Sequence, residues 1–310
     1  MTCSDDRPIL TLAHSPDPDD AFMWWPLSGA IDTGRFRYEL VPMDIQSLNE
    51  RAIDRADLDI TAISIHTYAH IKDVYALTSC GASMGDGYGP RIVAREPRGD
   101  GVGWLTEPGI RIATPGLQTT AHLVLQMMLH GFSPVLEARP FDMILDAVSS
   151  GEVDAGVVIH EGQLTYADEG LSLIADLGAW WRGETGLPLP LGGNVVKRDL
   201  DERFGAKALE EVAGTLKSSV EFALCERETS VERAMEHARG VDAATADELI
   251  SMYVNSLTLD AGERGLEAIQ SLLTQAHQMG LCPDPGEVEL VRPATSTVVS
   301  ATPAKGPTSS

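Results

Sequence analysis

The feature of the sequence that most constrains the fold is an alternation of short apolar runs with longer segments of helical spacing. The runs are rich in β-branched and other apolar residues, which is typical of buried strands. They are Ile9–Ala13, Arg37–Val41, Leu58–Ile63, Tyr75–Leu77, Arg91–Ala94, Arg111–Ala113, Val135–Ala138, Ala155–Ile159 and Leu173–Asp176. Strands that alternate with helices predict an α/β protein whose parallel strands are joined by helical crossovers.

From Asp201 onward the pattern changes to consecutive helices. Helical apolar spacing predicts four of them, at Glu202–Cys225, Val231–His237, Ala244–Val254 and Gly262–Met279. Gly280 follows the last one, in a position where glycine commonly ends a helix. We therefore expect a helical C-terminal region.

The domain organisation is predicted from two glycine-rich stretches, Cys80–Pro90 and Gly183–Gly193. Each lies beside an extended segment, Arg91–Ala94 or Asn194–Lys197, and such a pair predicts a two-strand hinge. We expect three parts: a first domain of residues 1–95 and 195–290, an inserted second domain of residues 96–194, and a tail of residues 293–310. The alternative is two consecutive domains that divide near residue 100.

The predicted tail, Pro293–Ser310, is rich in Pro, Ser, Thr and Ala and has almost no large apolar residue. Such a composition buries too little apolar surface to offset the entropy lost on ordering. We expect this segment to be disordered.

The chain is strongly acidic, with 46 Asp and Glu against 23 Lys and Arg and a formal net charge of −23. This charge repels phosphate backbones and anionic lipid surfaces, so neither nucleic acid nor a membrane is an expected partner. The acidity is compatible with a salt-rich cytoplasm or with a surface that only promotes solubility.

The sequence also indicates a reducing compartment. The four cysteines, Cys3, Cys80, Cys225 and Cys282, are scattered singly and form no close pair typical of a zinc site or redox dithiol. The first residues are acidic rather than basic, and no apolar window approaches the roughly 18 to 20 residues of a membrane span. We expect a cytoplasmic protein.

Polar residues that follow predicted strands are the first candidates for a ligand site, because ligands bind at the carboxyl ends of strands in open α/β sheets. The segment His14–Asp20, with Ser15 and Asp20, follows the first strand. Ser64 follows the third strand, and His66 lies just beyond it. Both places are equally compatible with a helix-capping turn that has no ligand.

Two further candidates follow later strands. Thr119 and Thr120 end a glycine-containing turn before a helix, where free backbone N–H groups favour a carboxylate or phosphate. His160 closes the run Ala155–Ile159, and its imidazole, with an ordinary pKa of about 6.5, suits a general base. A purely structural histidine is the alternative at this position.

Several reaction classes lack their motifs. The sequence has no glycine-rich dinucleotide fingerprint, no phosphate-binding loop, no helical zinc motif at His160-Glu161 and no Gly-x-Ser-x-Gly elbow. Nucleotide chemistry, a metal centre and a serine nucleophile are therefore not expected.

A set of segments in order along the chain carries a family resemblance. They are Ser15-Pro16 with Pro18 and Asp20, Asp44–Asn49, Ile63-Ser64 with Tyr68-Ala69, Gly85–Pro90, Pro115-Gly116 with Thr119-Thr120, Ile159–Glu161, Asp176–Trp181, Thr185–Gly192 and Tyr253–Asn255. Together they span Ile9 to about Gly280. In these segments the chain resembles the 1,4-dihydroxy-6-naphthoate synthase family of the futalosine route to menaquinone.

The resemblance implies a two-domain fold of the type II periplasmic-binding-protein kind, with a cleft between the domains. It implies that His160 accepts a proton and that Ala62, Ile63, Ser64, Thr119 and Thr120 contact the substrate. Ser15, Asp20 and Asn49 are further candidate site residues, and His66, near Ser64, is the next candidate for the base after His160. The implied reaction converts cyclic dehypoxanthinylfutalosine, a small-molecule carboxylate, to 1,4-dihydroxy-6-naphthoate with release of a sugar-derived carbonyl fragment. No cofactor and no metal are implied.

Three positions depart from the family pattern. Asp17 and Asp19 stand where cysteine and asparagine are usual, and Ala62 stands where a lysine can occur, which removes a partner for a substrate carboxylate. Two other functions remain: a non-catalytic solute-binding protein, which normally carries an export signal, and a sister enzyme such as chorismate dehydratase. The Trp180-Trp181 and Leu187–Gly192 segments are not features that we associate with the chorismate enzyme.

Overall fold

The computed structural model describes residues 5–99, 101–236 and 242–294. The strands are β1 (Ile9–His14), β2 (Arg37–Pro42), β3 (Ile60–Ser64), β4 (Tyr75–Thr78), β5 (Ser83–Gly85), β6 (Arg91–Ala94), β7 (Arg111–Thr114), β8 (Val135–Ala138), β9 (Ala155–Val158), β10 (Ser172–Asp176), β11 (Leu189–Lys197) and β12 (Leu290–Val291).

Helices connect these strands and form most of the C-terminal region. They are α1 (Pro18–Trp24), α2 (Ile45–Asp54), α3 (Ile65–Ile71), α4 (Thr120–Met128), α5 (Ile144–Ser150), α6 (Gly162–Thr165), α7 (Leu177–Thr185), α8 (Leu200–Phe204), α9 (Ala208–Cys225), α10 (Arg227–Met235), α11 (Ala243–Tyr253), α12 (Ser256–Leu259) and α13 (Gly262–Gln278). Short 3₁₀ turns lie at Trp25–Ser28, Gly103–Thr106 and Phe141–Met143.

The strands form two sheets, which confirms the predicted α/β class. The first sheet has the order β12-β4-β11-β3-β1-β2, with β5 paired to β11, and the second has the order β10-β6-β9-β7-β8. The expectation of parallel strands is only partly correct. β11 runs antiparallel to its three neighbours, and β6 runs antiparallel to β9 and β10.

The expected hinge pairing is wrong. Arg91–Ala94 forms β6 of the second sheet, whereas Asn194–Lys197 is the second half of β11 in the first sheet. The two chain segments that connect the sheets, just before β6 and just after β10, are instead in contact. There the Leu177 N–H donates to the Pro90 carbonyl at 2.9 Å. Only glycine is accommodated at position 178, because a Cβ there would lie 1.9 Å from the Tyr88 carbonyl oxygen.

We propose that the discontinuous division of the chain still describes its domains. Sheet membership supports this proposal, because the strands of the second sheet all lie within residues 91–176 and those of the first lie before and after them. The proposed boundaries then move from residues 95 and 195 to the contact between Pro90 and Leu177.

The sequence pattern of the strands explains where the core lies. All five residues of β3 are buried, as expected for a central strand that is covered on both faces. Two large tryptophans, Trp24 and Trp181, are fully buried on the helices α1 and α7 that follow strands β1 and β10. These helices therefore fix the loops at the carboxyl ends of the strands.

The helical C-terminal region is confirmed, with one break. The segment predicted as Glu202–Cys225 is two helices, α8 and α9, because Gly205 and Lys207 between them have positive φ angles of 91° and 76°. The end of the helix predicted to reach His237 and all of the tail beyond Ala294 lie outside the described residues. In the described ranges, none of the helices has the length and apolar character required to span a bilayer.

Candidate active site

A cavity of about 110 Å³ lies between the two sheets, at the carboxyl ends of their strands. We call its first-sheet side the first wall, made of residues 15–20 after β1 and 62–64 of β3. The second wall comprises Thr119, Thr120 and Ala121 at the start of α4 together with His160 after β9. The site residues named from the sequence that line the cavity are Ser15, Asp20, Ala62, Ile63, Ser64, Thr119, Thr120 and His160.

An acidic cluster occupies the β1 end of the first wall. The Ser15 N–H donates to Asp20 Oδ2 at 2.8 Å, and the Ser15 hydroxyl donates to Asp17 Oδ2. Burial, and then the neighbouring Asp19, raise the pKa of Asp20 well above its usual range; burial and Asp17 also raise the pKa of Asp19. These raised pKa values favour the protonated forms of Asp19 and Asp20.

Ser64 lines the same cavity, and a buried asparagine holds its hydroxyl. Asn49 accepts a hydrogen bond from the Ser64 N–H at 2.8 Å and donates to Ser64 Oγ at 3.0 Å. Ser64 stands at the start of α3, yet its side chain makes no capping hydrogen bond. Asn49 is fully buried and does not line the cavity, so its contact with the site runs through Ser64.

The start of α4 offers backbone donors rather than hydroxyls. Thr119 Oγ1 donates to the Gly116 carbonyl at 2.7 Å and accepts from the His122 N–H, which caps the helix. Thr120 Oγ1 donates to the Leu191 carbonyl at 2.7 Å. Among the described residues, no acceptor meets the N–H groups of Thr120 and Ala121, the first two of the helix. Such groups are available to an anionic ligand.

His160 follows β9 in a conformation that few residues with a side chain adopt, with a φ of 52°. Its Nε2 lies 3.2 Å from Asp17 Oδ2 on the first wall, although the ring N–H is not aligned with that oxygen. The Phe141 ring packs edge-on against the imidazole at a centroid distance of 4.9 Å. Burial lowers the pKa of His160, but the charges of Asp17, Asp19, Glu161 and Asp44 outweigh it and raise the pKa above 6.5.

Gln163 and Tyr253 also line the cavity and were not among the predicted site residues. In either orientation of its amide, the buried Gln163 side chain hydrogen-bonds the Tyr253 hydroxyl and the backbone of His160. It therefore supports the unusual backbone of His160. Tyr253 was within a matched segment without an inferred role, and the only signal for Gln163 was its place three residues after His160.

His66 lies near the site without facing it. The ring is buried on α3 and does not line the cavity. Burial, with His70 and His122 nearby, lowers the pKa of His66 to about 4. The ring therefore stays neutral behind the first wall. In the described ranges, no group of three or more His, Cys, Asp and Glu side chains is arranged to hold a metal ion.

Known proteins similar to this chain include two biosynthetic enzymes. It is 38% identical to the 1,4-dihydroxy-6-naphthoate synthase of Thermus thermophilus over 272 residues, which cover 88% of this chain and 95% of that protein. It is 37% identical to the synthase of the same name from Streptomyces coelicolor, over 92% of this chain and 98% of the relative.

Solved structures agree with the two-sheet fold. A crystal structure of a protein from Archaeoglobus fulgidus matches 88% of this chain and 98% of its own, with 41% identity and a TM-score of 0.78. The alkanesulfonate-binding protein SsuA from Xanthomonas axonopodis pv. citri, bound to MOPS, covers 91% of this chain and 97% of its own, with 16% identity and a TM-score of 0.65. The second likeness concerns the fold alone and confirms the periplasmic-binding-protein-like architecture.

A family model also covers most of the chain. The model is described as menaquinone biosynthesis and matches residues 10–278, a range that includes both walls of the cavity and the helices as far as α13. With this match and the two relatives above 30% identity, the chain belongs to the menaquinone biosynthesis family.

Proposed function

We propose that this protein is a 1,4-dihydroxy-6-naphthoate synthase, a lyase that converts cyclic dehypoxanthinylfutalosine to 1,4-dihydroxy-6-naphthoate in menaquinone biosynthesis. The proposal is supported by family membership and by the names of the two relatives. The observation that carries it is that His160 and the start of α4, whose first two N–H groups are open, line one cavity between the sheets. A base and an anion-binding helix start are the two groups that this reaction needs.

The first step that we assign to the protein is binding of the substrate carboxylate. The N–H groups of Thr120 and Ala121 point away from the helix they begin and have no protein acceptor in the described ranges, and the positive end of the α4 dipole adds to their attraction for an anion. The Ser64 hydroxyl, fixed by Asn49, retains its proton for a further hydrogen bond. These donors replace the lysine that is missing at position 62.

The second step is removal of a proton. Aromatisation requires a proton to leave a carbon next to an activating carbonyl, and a neutral imidazole accepts it near physiological pH. We assign this role to His160, the only histidine among the described residues that line the cavity. Loss of the sugar-derived fragment as a small carbonyl compound completes the reaction. Because carboxylates raise the pKa of His160, the neutral base forms at a higher pH than in a free imidazole.

The remaining parts of the proposal concern partners and location. The acidic surface supports a small-molecule substrate rather than nucleic acid or a membrane. We place the protein in the cytoplasm. The biosynthetic role of the family and the single, scattered cysteines are both compatible with that compartment.

The decisive experiment is to incubate the purified protein with cyclic dehypoxanthinylfutalosine and to look for 1,4-dihydroxy-6-naphthoate by mass spectrometry. We expect the naphthoate, and we expect no product from chorismate in a parallel incubation. Conversion of chorismate instead would identify a dehydratase. Binding of the substrate without any turnover would identify a solute-binding protein, which shares the fold.

A further inference from the structure

One carboxylate reaches across the cavity to the proposed base. Asp17 follows β1 in the first wall and His160 follows β9 in the second, yet Asp17 Oδ2 lies 3.2 Å from His160 Nε2. The Asp17 side chain is only 9% exposed. The pair is an ion-pair contact between opposite walls and not a hydrogen bond, because the ring N–H is not aligned with the carboxylate oxygen.

The Asp17 carboxylate is itself held in place. The Ser15 hydroxyl donates to the same oxygen, Oδ2, that faces the imidazole, and the Asp17 N–H donates back to Ser15 Oγ at 3.3 Å. Since the Ser15 hydroxyl points to Asp17 and not to the imidazole, Ser15 is not an activated nucleophile here. Its effect is to fix the carboxylate that meets His160.

We propose that Asp17 is a positioning residue that keeps the ring proton of neutral His160 on Nε2, so that Nδ1 is the nitrogen that accepts the proton from the substrate. This inference rests on the proposed function, in which His160 is the base. It assigns a role to a residue at which this chain departs from the cysteine that is usual in the resemblance.

The chemistry of the two groups leads to this assignment. An ionised carboxylate only accepts hydrogen bonds, so the ring nitrogen that faces it is stabilised when it carries the proton. Nε2 is buried, whereas the His160 side chain as a whole is 19% exposed, so the open part of the ring lies away from Nε2. No described residue hydrogen-bonds Nδ1, which leaves its lone pair for the substrate.

Other charges near the ring act differently from Asp17. Burial opposes the charged imidazole, and the carboxylates that favour it are, in decreasing order, Asp17, Asp19, Glu161 and Asp44. Of these, Asp17 is the one in ion-pair contact with a ring nitrogen among the described residues. The others raise the pKa of His160 without selecting a nitrogen. The exposed Asp142, in the 3₁₀ turn beside the Phe141 ring, provides a charge control outside the contact.

The test compares Asp17→Asn with Asp17→Ala. The asparagine amide can donate to Nε2, which places the ring proton on Nδ1 and blocks the proposed base; alanine removes only the preference. In serine proteases the corresponding change lowers kcat by about 10⁴. We expect kcat to fall at least about 10²-fold in Asp17→Asn and about 10-fold in Asp17→Ala, with KM changed less than about threefold in both.

Two further readouts separate positioning from a general loss of structure. In protein with ¹⁵N-labelled histidine, the neutral His160 ring should carry its proton on Nε2 in the wild type and on Nδ1 in Asp17→Asn; the signal is assigned by its absence in His160→Asn. The rising limb of the pH–kcat profile should move to lower pH in Asp17→Ala, because a negative charge that stabilises the imidazolium is gone. Asp142→Asn should keep the wild-type tautomer and kcat.

The outcomes distinguish this inference from the function on which it rests. A folded His160→Asn protein that retains turnover would overturn His160 as the base, and with it both statements. If His160→Asn is inactive while Asp17→Asn keeps wild-type kcat and the Nε2–H tautomer, only the role of Asp17 is wrong. Each variant is checked by its thermal midpoint, and Asp17→Glu, which keeps the carboxylate, should recover part of the lost kcat.

Discussion

The two walls of the cavity use similar residues in opposite ways. Ser64 in the first wall and Thr119 in the second both stand directly before a helix. The Ser64 side chain leaves its helix uncapped and keeps a hydroxyl proton, because Asn49 donates to it. The Thr119 hydroxyl caps α4 and donates its hydrogen bond to the Gly116 carbonyl. The residue type before a helix therefore does not reveal whether a hydroxyl faces the ligand.

This difference determines how mutations can probe each wall. The first wall offers a side-chain donor that a single substitution removes. The second offers backbone N–H groups, which side-chain substitutions other than proline leave in place, together with the imidazole of His160. The expected effects therefore range from a large loss at His160 to a small one at Thr119.

The largest effect is expected for His160→Asn. Asparagine is among the residues that most readily adopt a positive φ, so the strained backbone at this position should be retained. The variant should bind substrate and lose about 10² to 10⁴ in turnover, the usual contribution of a positioned base. Steady-state kinetics with mass-spectrometric detection of the naphthoate provides the measurement.

The pH dependence sharpens this prediction. The carboxylates around His160 raise its pKa, so wild-type activity should rise with pH through a value above the ordinary 6.5 of imidazole. That limb should be absent from the residual activity of His160→Asn. A variant that is folded and turns over normally would transfer the role of base to another group.

The next effect concerns the buried histidines on α3 and α4. Burial lowers the pKa of both His66 on α3 and His122 on α4 to about 4. Between pH 6.5 and 4 the unfolded chain therefore binds more protons than the folded one, so this contribution to stability is present above 6.5 and is lost as the pH falls to 4. A shift of this size corresponds to about 3 kcal/mol for one histidine.

The measurement is the thermal midpoint of wild type and His66→Leu at about pH 7 and about pH 5, on either side of the ordinary histidine pKa. Asp19 and Asp20 act with the opposite sign, because their raised pKa values favour the folded state as the pH falls. The test therefore compares the drop in thermal midpoint between about pH 7 and about pH 5 in the two proteins. This drop should be smaller in His66→Leu than in the wild type. His130→Leu, at an exposed position, is the control, and an equal loss in wild type and His66→Leu would contradict the prediction.

The third prediction tests the first wall through Ser64→Ala. If the Ser64 hydroxyl donates to the substrate carboxylate, its removal should weaken binding by about 1.5–3 kcal/mol, the value of a hydrogen bond to a charged group. The dissociation constant, measured by calorimetry with His160→Asn as the background, gives this energy without turnover. Ser47→Ala, at an exposed position on α2, should bind like the background protein. Equal affinity of Ser64→Ala and Ser47→Ala would remove Ser64 from the site.

Much of the fold could be predicted from the sequence because apolar periodicity is a local signal. Each of the nine predicted strands overlaps a strand of the structure, and β6 and β8 agree to the residue. The strands of the structure that the sequence did not predict are β5, β12 and the first half of β11. The first half of β11 contains Pro190, Gly192 and Gly193, residues that weaken the strand pattern, and pairs with β3 and β5 through contacts distant in sequence.

The candidate site was predictable to the extent that it follows strand ends. Ser64 ends β3, and Ser15, Thr119 and His160 lie one to five residues beyond the ends of β1, β7 and β9; the cavity brings the four together. The direction of each hydroxyl, and the contact between Asp17 and His160, depend on partners far away in sequence. No spacing pattern could therefore indicate that Asn49 holds Ser64 or that Thr120 donates to Leu191.

The smallest effect is expected for Thr119→Ala. The substitution removes the cap of α4, which should lower the free energy of unfolding by about 1 kcal/mol, whereas Thr119→Ser keeps the cap and should be close to wild type. Substrate affinity should change less than about twofold, because the donors that meet the ligand are the N–H groups of Thr120 and Ala121. The Thr119 hydroxyl already donates its hydrogen bond to the Gly116 carbonyl. Urea unfolding gives the stability, and calorimetry gives the affinity. If Thr119→Ala weakens binding as much as Ser64→Ala does, the hydroxyl must turn toward the substrate on binding, and the two walls would use their hydroxyls alike.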